Sequence, residues 1–286
     1  MRCFVTGASG FIGSNLVHEL LAEKHSVKAL ARPGSDGRAW AGGEVEWVTG
    51  LLTDREFLRR ELKDCDWCFH CAADYRLWAP DYRPMYVTNV EGTFNVLEAA
   101  GRYCSRIVYT STVGCIGLPK EVNGRVIPAT ERDSPRDEDL TNDYKRSKWQ
   151  AELVAVKAAR DGLPVVMVNP SAPIGPRDIK PTPTGGLIVD FLNGKLPAFV
   201  DTGLNWVHVR DVAIGHIRAA EKGTTGQRYI LGNKDGNWTM EETLKVLEEL
   251  TGMPAPKKKV PHWVALVAAH VQESAAYFTR KPPRAP

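Results

Sequence analysis

Two side chains of the sequence have the types and the spacing that suit proton transfer. Residues 144–148 read Y-K-R-S-K and place a phenol, Tyr144, four residues before an ammonium, Lys148. Side chains four residues apart share one face of a helix. A phenol has an ordinary pKa of about 10 and is a poor base at neutral pH, but a nearby ammonium favours its phenolate. We therefore expect Tyr144 to exchange a proton with a substrate hydroxyl or carbonyl oxygen.

A glycine-rich turn follows the first apolar segment of the chain. Residues 6–13 read T-G-A-S-G-F-I-G, between a predicted strand and a predicted helix. In that context the glycines permit a sharp turn, a close approach to a pyrophosphate and tight packing of the helix on the strand. The start of the helix then offers free N–H groups to the phosphates. The expected cofactor-binding residues of this turn are Thr6, Gly7, Gly10, Phe11, Ile12 and Gly13.

The end of the second apolar segment bears on which nucleotide binds. An enzyme that uses NAD places a carboxylate there to hold the ribose 2′-hydroxyl, but this segment ends in Ala31 and Arg32. A guanidinium matches a 2′-phosphate by charge-assisted hydrogen bonds, and Ser35 and Arg38 could assist it. The sequence therefore favours NADP(H) over NAD(H). A solvated surface arginine is the alternative.

Short apolar segments alternate with helical patterns through the first part of the chain. Such alternation is typical of an α/β fold, a Rossmann-type doubly wound parallel sheet covered on both faces. The predicted strands are 2–6, 26–31, 45–49, 67–72, 106–110 and 164–169, and the helices between them are 11–23, 54–62, 86–103 and 144–159.

The composition of the sequence changes after Asn169. Five prolines and three glycines crowd residues 170–186, which predicts a long structured loop. Residues 1–169 are therefore interpreted as a dinucleotide-binding Rossmann domain, and residues 170–286 as a smaller substrate-binding part. The elements expected after the loop are helices at 187–193, 212–221 and 240–251 and strands at 206–209 and 227–231, with Thr239 and Glu242 capping the helix at 240–251.

Composition and charge narrow the class of protein. The chain has 286 residues, of which 43% are hydrophobic and 25% charged, as in ordinary globular proteins. A net charge of +3 is too small to imply a nucleic-acid partner. Neither a transmembrane segment nor a secretory signal is recognisable, so we expect a cytoplasmic protein. The apolar run at 263–269 is expected to be a buried helix face, with a lipid-facing lid as the alternative.

Three cysteines at positions 65, 68 and 71 have the spacing of a metal motif. However, they fall on a predicted strand, where residues three apart point to opposite faces. Cys68 and Cys71 therefore cannot share a metal ion, and no second ligand cluster follows. We expect no metal site, and small buried thiols that stay reduced.

The glycine turn, the hydroxyl run Y-T-S-T at 109–112 and the Y-x-x-x-K segment together resemble the extended short-chain dehydrogenases/reductases, or NAD-dependent epimerase/dehydratase superfamily. The resemblance covers essentially the whole chain. It implies that Thr112, with Ser111 as the alternative, orients the substrate oxygen, and that Asn89 holds a water linking Lys148 to solvent. It also implies a homodimer and further cofactor contacts from Ala72, Ala73, Tyr144, Lys148 and Pro170.

Three longer stretches, 71–78, 169–178 and 201–209, resemble hopanoid-associated sugar epimerases and the similar dihydroflavonol-4-reductases. The substrate is then a hydroxyl or keto compound, with a sugar or lipid-linked sugar among the options. Tyr75 and Trp78 follow a strand end, where α/β sheets bind ligands, and so do Pro173 and Ile174. We expect all four to line the substrate pocket. For Tyr75 and Trp78, packing within the loop is the alternative.

Two enzymatic functions remain open at this point. One is a reductase or dehydrogenase that exchanges NADP(H), which Arg32 and the reductase-like C-terminal half favour. The other is a sugar epimerase whose tightly bound cofactor is reduced and reoxidised within one turnover. A non-catalytic cofactor-binding scaffold ranks last, because both Tyr144 and Lys148 are present. The chain departs from the family at Gly50, which leucine rather than an acidic residue follows, and at its C-terminus, where relatives usually continue into a further helical region.

Overall fold

The computed structural model describes residues 1–35 and 44–279; Arg38, expected beside the nucleotide, lies outside these residues. The strands are β1 (Arg2–Thr6), β2 (Ser26–Ala31), β3 (Glu46–Thr49), β4 (Trp67–His70), β5 (Arg106–Thr110), β6 (Lys120–Val122), β7 (Arg125–Ile127), β8 (Val165–Pro170), β9 (Ala172–Ile174), β10 (Phe199–Val200), β11 (Gly203–His208), β12 (Arg228–Leu231), β13 (Asn237–Thr239) and β14 (Lys259–Val260). The helices are α1 (Phe11–Ala22), α2 (Arg55–Leu62), α3 (Arg83–Tyr86), α4 (Gly92–Ala100), α5 (Asp143–Arg160), α6 (Pro183–Leu192), α7 (Val209–Lys222), α8 (Met240–Thr251) and α9 (His262–Thr279).

Seven strands form one sheet in the order β12-β8-β5-β4-β1-β2-β3. All neighbouring pairs in this sheet are parallel. The chain first adds strands on one side of β1 and then crosses to the other side with β4. Ligands bind such sheets at the carboxyl ends of the strands, beside this reversal. The predicted Rossmann-type α/β fold is confirmed.

Helices cover both faces of the sheet, because its strands are apolar on both sides. On one face α1 and α7 pack over a buried cluster that includes Leu16 and Ile217. On the other face α2, α4 and α5 pack over a cluster that includes Leu58, Leu97 and Ala155. This double packing fixes the carboxyl ends of β1, β4 and β5 relative to one another.

Elements after residue 169 contribute both to the main sheet and to a separate layer. β12 pairs with β8 and forms one edge of the sheet. A second sheet has the order β13-β11-β9, and β10 pairs with β14. Phe191 of α6 packs there with Met240 and Leu244 of α8. The division of the chain at residue 170 stays a prediction.

The predicted boundaries differ from the structure mainly where a pattern is short or interrupted. The helix predicted over 86–103 is divided between α3, a π-helical turn at Val87–Glu91 and α4. β9 is absent from the prediction, because three residues give too short a pattern. The capped helix at 240–251 is confirmed, with the Thr239 and Glu242 side chains each bonded to the other's backbone N–H.

The cysteines lie on opposite sides of the sheet, as the strand geometry predicts. Cys65 and Cys68 belong to the cluster under α2 and α4, whereas Cys71 packs against the cluster under α1 and α7. All six cysteines are free. Residues 1–35 and 44–279 contain no group of three His, Cys, Asp or Glu side chains that could hold a metal ion.

Large apolar side chains in the described part of α9 are exposed. Trp263 is 68% exposed and Val271 is 63% exposed. The expectation of a buried helix face over residues 263–269 is therefore wrong for the described part of the chain, because no described element covers these side chains. Nor does any helix in that part have both the length and the apolar character to span a membrane.

Candidate active site

The glycine turn packs tightly against the end of β4. Gly7 has a φ of +70°, and a Cβ atom there would lie 2.7 Å from the backbone nitrogen of Ala72. A Cβ atom on Gly13 would overlap the carbonyl oxygen of Gly7. Glycine is therefore required at both positions. Ala73 continues the chain from Ala72 at the same edge of the sheet, and Pro170 ends β8.

The start of α1 suits a dinucleotide phosphate. Gly10 is the N-cap of α1, and no described side chain caps the helix. The first N–H groups, from Phe11, Ile12 and Gly13, therefore lack a side-chain acceptor, and the helix dipole favours a negative charge beside them. The residues present fit a pyrophosphate at this turn.

Arg32 lies directly after β2 and is exposed. Its carbonyl oxygen accepts hydrogen bonds from the backbone N–H and the hydroxyl of Ser35, at 3.1 and 2.7 Å. Burial raises the pKa of Tyr75 after β4, as does the charge of Asp178, while the guanidinium charge of Arg32 opposes this. Arg32 thus follows β2, and its charge acts on the loop after β4. Contact with a nucleotide stays a prediction.

Tyr144 and Thr112 meet above the carboxyl end of β5. The side chain of Asn142 caps α5, accepting from the N–H of Lys145 at 2.9 Å, so Tyr144 lies in the first helical turn. The side chain of Thr112 lies beside the Tyr144 phenol and lowers its pKa, against the larger effect of burial. Ser111, the alternative to Thr112, is buried and lies against Cys115 instead. The geometry therefore brings Thr112 to the phenol.

Lys148 lies one helical turn beyond Tyr144 and is buried. Its ammonium donates to the carbonyl oxygen of Thr110 at 2.7 Å and to the hydroxyl of Tyr109 at 3.1 Å. Burial lowers the pKa of Lys148 to about 8. The side chain is therefore charged at neutral pH and loses its proton just above it.

The pKa of Tyr144 is shifted in the direction opposite to the sequence-based expectation. Burial raises this pKa above its ordinary value, and the neighbouring Thr112 side chain opposes the rise only in part. The Lys148 ammonium is occupied by Thr110 and Tyr109 and does not reverse the shift. The phenol is therefore protonated at neutral pH, which suits it to donate a proton.

Asn89 joins the loop after β4 to α5, the helix that carries Tyr144 and Lys148. Its side-chain oxygen accepts from the N–H of Asp74 at 2.7 Å, and its amide donates to the carbonyl oxygen of Asp74 and the hydroxyl of Ser147, both at 2.9 Å. The residue lies in the π-helical turn, a feature frequent at functional sites. The Asn89 side chain thus links the loop after β4 to α5 through Asp74 and Ser147. The water-holding role of Asn89 stays a prediction.

A buried chain of hydrogen bonds connects the glycine turn with the helix that carries Asn89. The hydroxyl of Thr6 lies 2.7 Å from Nδ1 of His70, whose Nε2 lies 3.0 Å from the hydroxyl of Thr93. Thr93 in turn donates to the carbonyl oxygen of Asn89 at 2.5 Å. Thr6 also accepts from the N–H of Ala72 at 3.2 Å. These hydrogen bonds therefore fix the glycine turn and the π-helical turn around Asn89 relative to each other.

The four predicted substrate residues lie in two segments at the carboxyl edge. Tyr75 and Trp78 follow β4; Tyr75 is exposed and Trp78 is half-buried. Pro173 and Ile174 belong to β9, which pairs with β11. Thr184 of α6 donates to the carbonyl oxygen of Pro173 at 3.1 Å and ties this segment to the C-terminal layer. Contact of the four side chains with a substrate stays a prediction.

The family of the chain follows from its sequence and this architecture. The model of the NAD dependent epimerase/dehydratase family matches residues 3–232, which include the glycine turn, the seven sheet strands and α5. The chain belongs to the NAD-dependent epimerase/dehydratase family. It is therefore an NAD(P)-dependent oxidoreductase or epimerase, and the resemblance to the extended short-chain dehydrogenases/reductases is confirmed.

Two relatives in this family are similar over most of their length. A Synechocystis protein, provisionally named a dihydroflavonol 4-reductase, is 45% identical over 275 residues, which cover 94% of this chain and 78% of the relative. Sterol demethylase protein B of Methylococcus capsulatus is 34% identical over 99% of this chain and 85% of its own. The resemblance to dihydroflavonol reductases is confirmed, and the link to hopanoids stays a prediction.

Solved structures in the same family share the fold. The crystal structure of the protein called gox2253 matches with a TM-score of 0.86 and 40% identity, covering 99% of this chain and 84% of that one. UDP-glucose 4-epimerase of Thermus thermophilus, solved with NAD, matches with a TM-score of 0.76 and 26% identity, covering 91% and 86%. Structural neighbours of this chain thus bind a nicotinamide dinucleotide.

Three supporting residues of this epimerase/dehydratase site are absent from the sequence-based prediction. Glu152, Asn169 and Arg228 form a buried polar group behind Thr112. Glu152 follows Lys148 by four residues, and that helical spacing could have indicated a third residue on the same face. Arg228 lies 76 residues from Glu152 along the chain, so no local pattern connects the two.

Proposed function

We propose that this protein is an NADP(H)-dependent reductase that transfers a hydride between nicotinamide and a secondary alcohol or ketone carbon. The observation that carries this proposal is the placement of the Thr112 side chain beside the Tyr144 phenol, with the buried ammonium of Lys148 one turn away. All three lie near the carboxyl ends of the sheet strands, at the same end of the sheet as the glycine turn.

The residues of the chain supply binding and proton transfer. When bound, the nicotinamide supplies the hydride. Tyr144 donates its proton to the substrate oxygen as that oxygen gains negative charge, and Thr112 holds the same oxygen by a hydrogen bond. Burial raises the pKa of the phenol further above neutral pH, so Tyr144 carries the proton that reduction requires. Lys148 contributes a fixed positive charge near the phenolate that remains.

Two observations support NADP(H) as the cofactor. β2 ends at Ala31, which offers no carboxylate to a ribose 2′-hydroxyl. The next residue is the exposed Arg32, whose fork of N–H donors matches a phosphate. The glycine turn and the uncapped start of α1 would bind the pyrophosphate of either nucleotide.

The similarities support a reductase rather than an epimerase. Three relatives above 30% identity are named as a dihydroflavonol 4-reductase, provisionally, a sterol demethylase protein B and a ketoreductase, whereas the Thermus thermophilus epimerase is 26% identical. We place the apolar part of a hydroxyl or keto substrate against Tyr75, Trp78, Pro173 and Ile174. An epimerase of a sugar or lipid-linked sugar is the competing function.

The test is a screen with NADPH and NADH against apolar ketones and against nucleotide sugars. Net loss of nicotinamide fluorescence with a ketone supports the reductase. Inversion of a sugar carbon without net nicotinamide consumption would show an epimerase and overturn the proposal. Nucleotide binding without turnover of either substrate class would indicate the non-catalytic cofactor-binding scaffold, and failure to bind either nucleotide would overturn the proposal.

We also propose a homodimer formed by the face of α4 and α5. Phe94 of α4 and Leu153 of α5 are each 46% exposed, and Val87 of the π-helical turn before α4 is 41% exposed. They lie beside a shallow groove that Val90 and Val154 help to line. An exposed apolar patch of this kind marks an interaction site. The six free cysteines fit a reducing compartment such as the cytoplasm.

A further inference from the structure

We propose that Glu152 and Arg228 are positioning residues: a buried carboxylate on α5 and a guanidinium on β12 together hold the backbone that carries Thr112. The inference rests on the proposed function, because it is there that Thr112, Tyr144 and Lys148 act on a substrate. Neither Glu152 nor Arg228 needs to touch that substrate.

The two oxygens of the Glu152 carboxylate bind two groups that also hold the turn after β5. Oε1 accepts from Arg228 at 3.1 Å, and Oε2 accepts from the side-chain amide of Asn169 at 2.8 Å. The same amide nitrogen donates to the carbonyl oxygen of Thr112 at 2.9 Å. The same guanidinium nitrogen donates to the carbonyl oxygen of Cys115 at 3.2 Å. Residues 112–115 are therefore held at both ends through one carboxylate.

The amide of Asn169 is fixed in a single orientation. Its two N–H hydrogens serve the Thr112 carbonyl and the Glu152 carboxylate, and a flipped amide would set oxygen against two acceptors. The amide oxygen is buried without a hydrogen-bond partner among the described residues. Leaving this acceptor unpaired is unfavourable, but the opposite orientation of the amide would lose both hydrogen bonds of its nitrogen. These two bonds therefore fix the amide and its link to Thr112.

Arg228 also secures the segment that returns from the β6–β7 hairpin. Its second terminal nitrogen donates to the carbonyl oxygen of Asp133 at 2.7 Å. Two residues on, the N–H of Ile230 donates to the side chain of Glu131 at 3.1 Å. Removing one partner of a buried ion pair leaves the other charge uncompensated. Loss of Arg228 should therefore loosen the turn at 112–115 as well as this segment.

Glu152 also influences the charge of Lys148. At neutral pH the other titratable groups around this ammonium are uncharged, because burial lowers the pKa of a histidine and raises the pKa of a tyrosine or a thiol. The shifts are to about 3 for His70, to about 11 for Cys71, to about 12 for Cys115 and well upward for Tyr109. Within the described part of the chain, Glu152 is the negatively charged member of the set around Lys148. Its field favours the charged form of the ammonium.

The test measures the titration of Lys148 in the ligand-free protein. Lysine labelled with ¹³C reports the ε-methylene by NMR, and the signal of Lys148 is the one lost in Lys148→Met. The wild type should titrate near pH 8. Glu152→Gln removes the negative charge and should raise the acid dissociation constant of Lys148 about tenfold. Arg228→Gln removes the positive charge and should lower that constant.

Conservative variants separate charge from packing. Glu152→Asp and Arg228→Lys keep the charges, so Lys148 should titrate between the corresponding Gln variant and the wild type; they also serve if a Gln variant does not fold. An unchanged titration in Glu152→Gln, or shifts of the same sign in both Gln variants, would overturn the proposal. A role in packing alone does not predict opposite shifts.

Amide hydrogen exchange tests whether Arg228 holds the backbone of residues 112–115. In Arg228→Gln the amides of Gly114 and Cys115 should exchange at least about tenfold faster than in the wild type, while those of β1 and β2 stay unchanged. Unchanged exchange at 114 and 115 would refute the positioning role. Neither measurement uses a cofactor or substrate. A protein that binds no NADPH would therefore end the proposed function and leave these results to stand by themselves.

Discussion

The ammonium of Lys148 lies 2.7 Å from the carbonyl oxygen of Thr110, the last residue of β5. Burial lowers the pKa of this lysine from 10.5 to about 8. The positive charge is thus present below that pH and is lost as the pH rises through it. By family resemblance Lys148 reaches the nicotinamide ribose, so NADPH binding should weaken between about pH 7 and about pH 9.

Fluorescence titration of NADPH across this range, at constant ionic strength, measures the effect. Lys148→Met should bind NADPH weakly with a flat pH dependence, and Lys148→Arg should stay charged throughout. A wild-type affinity that does not change across pH 8 would separate Lys148 from the cofactor.

Arg32 should set the preference for the phosphorylated nucleotide. Arg32→Ala should weaken NADPH binding by about 1.5–3 kcal/mol, the scale of a hydrogen bond to a charged group, and leave NADH nearly unchanged. Titration of both nucleotides measures this, with the exposed surface variant Arg102→Ala as the control. Equal losses for NADPH and NADH would contradict the assignment.

Charges placed on the face of α4 and α5 should separate the proposed dimer. Phe94→Glu and Leu153→Glu each bury a charge if that face is an interface. Light scattering of the wild type should give twice the mass of the chain, and of either variant the mass of one chain. Leu250→Glu is the control, because Leu250 is 78% exposed on α8. A monomeric wild type would refute the dimer.

His216 should make the fold sensitive to acid. Its Nδ1 lies 2.7 Å from the carbonyl oxygen of Val212 and its Nε2 lies 2.8 Å from the hydroxyl of Thr110, and burial lowers its pKa from 6.5 to about 4. Between these two pKa values the unfolded chain binds a proton that the folded chain does not. The contribution of His216 to the free energy of unfolding is thus fully present above pH 6.5 and is lost progressively as the pH drops towards 4.

Urea unfolding at about pH 7.5 and about pH 5 measures this contribution. The wild type should lose roughly 2 kcal/mol from His216 over that interval, and His216→Gln should be less acid-sensitive by that amount. Equal acid sensitivity of the two proteins would contradict the role of His216.

Sequence reasoning succeeds here where one local pattern determines the structure. The glycine spacing after β1 specifies a turn that only glycine fits at Gly7 and Gly13, and apolar strands between amphipathic helices specify a parallel sheet. The Tyr144–Lys148 spacing likewise places two side chains on one helix. The α/β fold and the succession of the strands that build the parallel sheet were therefore predictable.

Features that depend on distant contacts were not predictable. The pKa of Tyr144 depends on how deeply the phenol is buried, and spacing along α5 carries no information about depth. Arg228 reaches Glu152 only because β12 pairs with β8 at the edge of the sheet. The π-helical turn around Asn89 breaks a pattern that predicts one continuous helix.

Tyr144 is expected to donate the proton during reduction. Tyr144→Phe removes only the hydroxyl, so the fold and the NADPH affinity should survive. The measurement is the rate of NADPH consumption with the ketone found by the screen, compared between wild type and Tyr144→Phe at saturating NADPH. We expect a fall of about 10²–10⁴-fold, the contribution of a positioned acid. Retention of most of the wild-type rate would contradict it and place the proton donor elsewhere in the site.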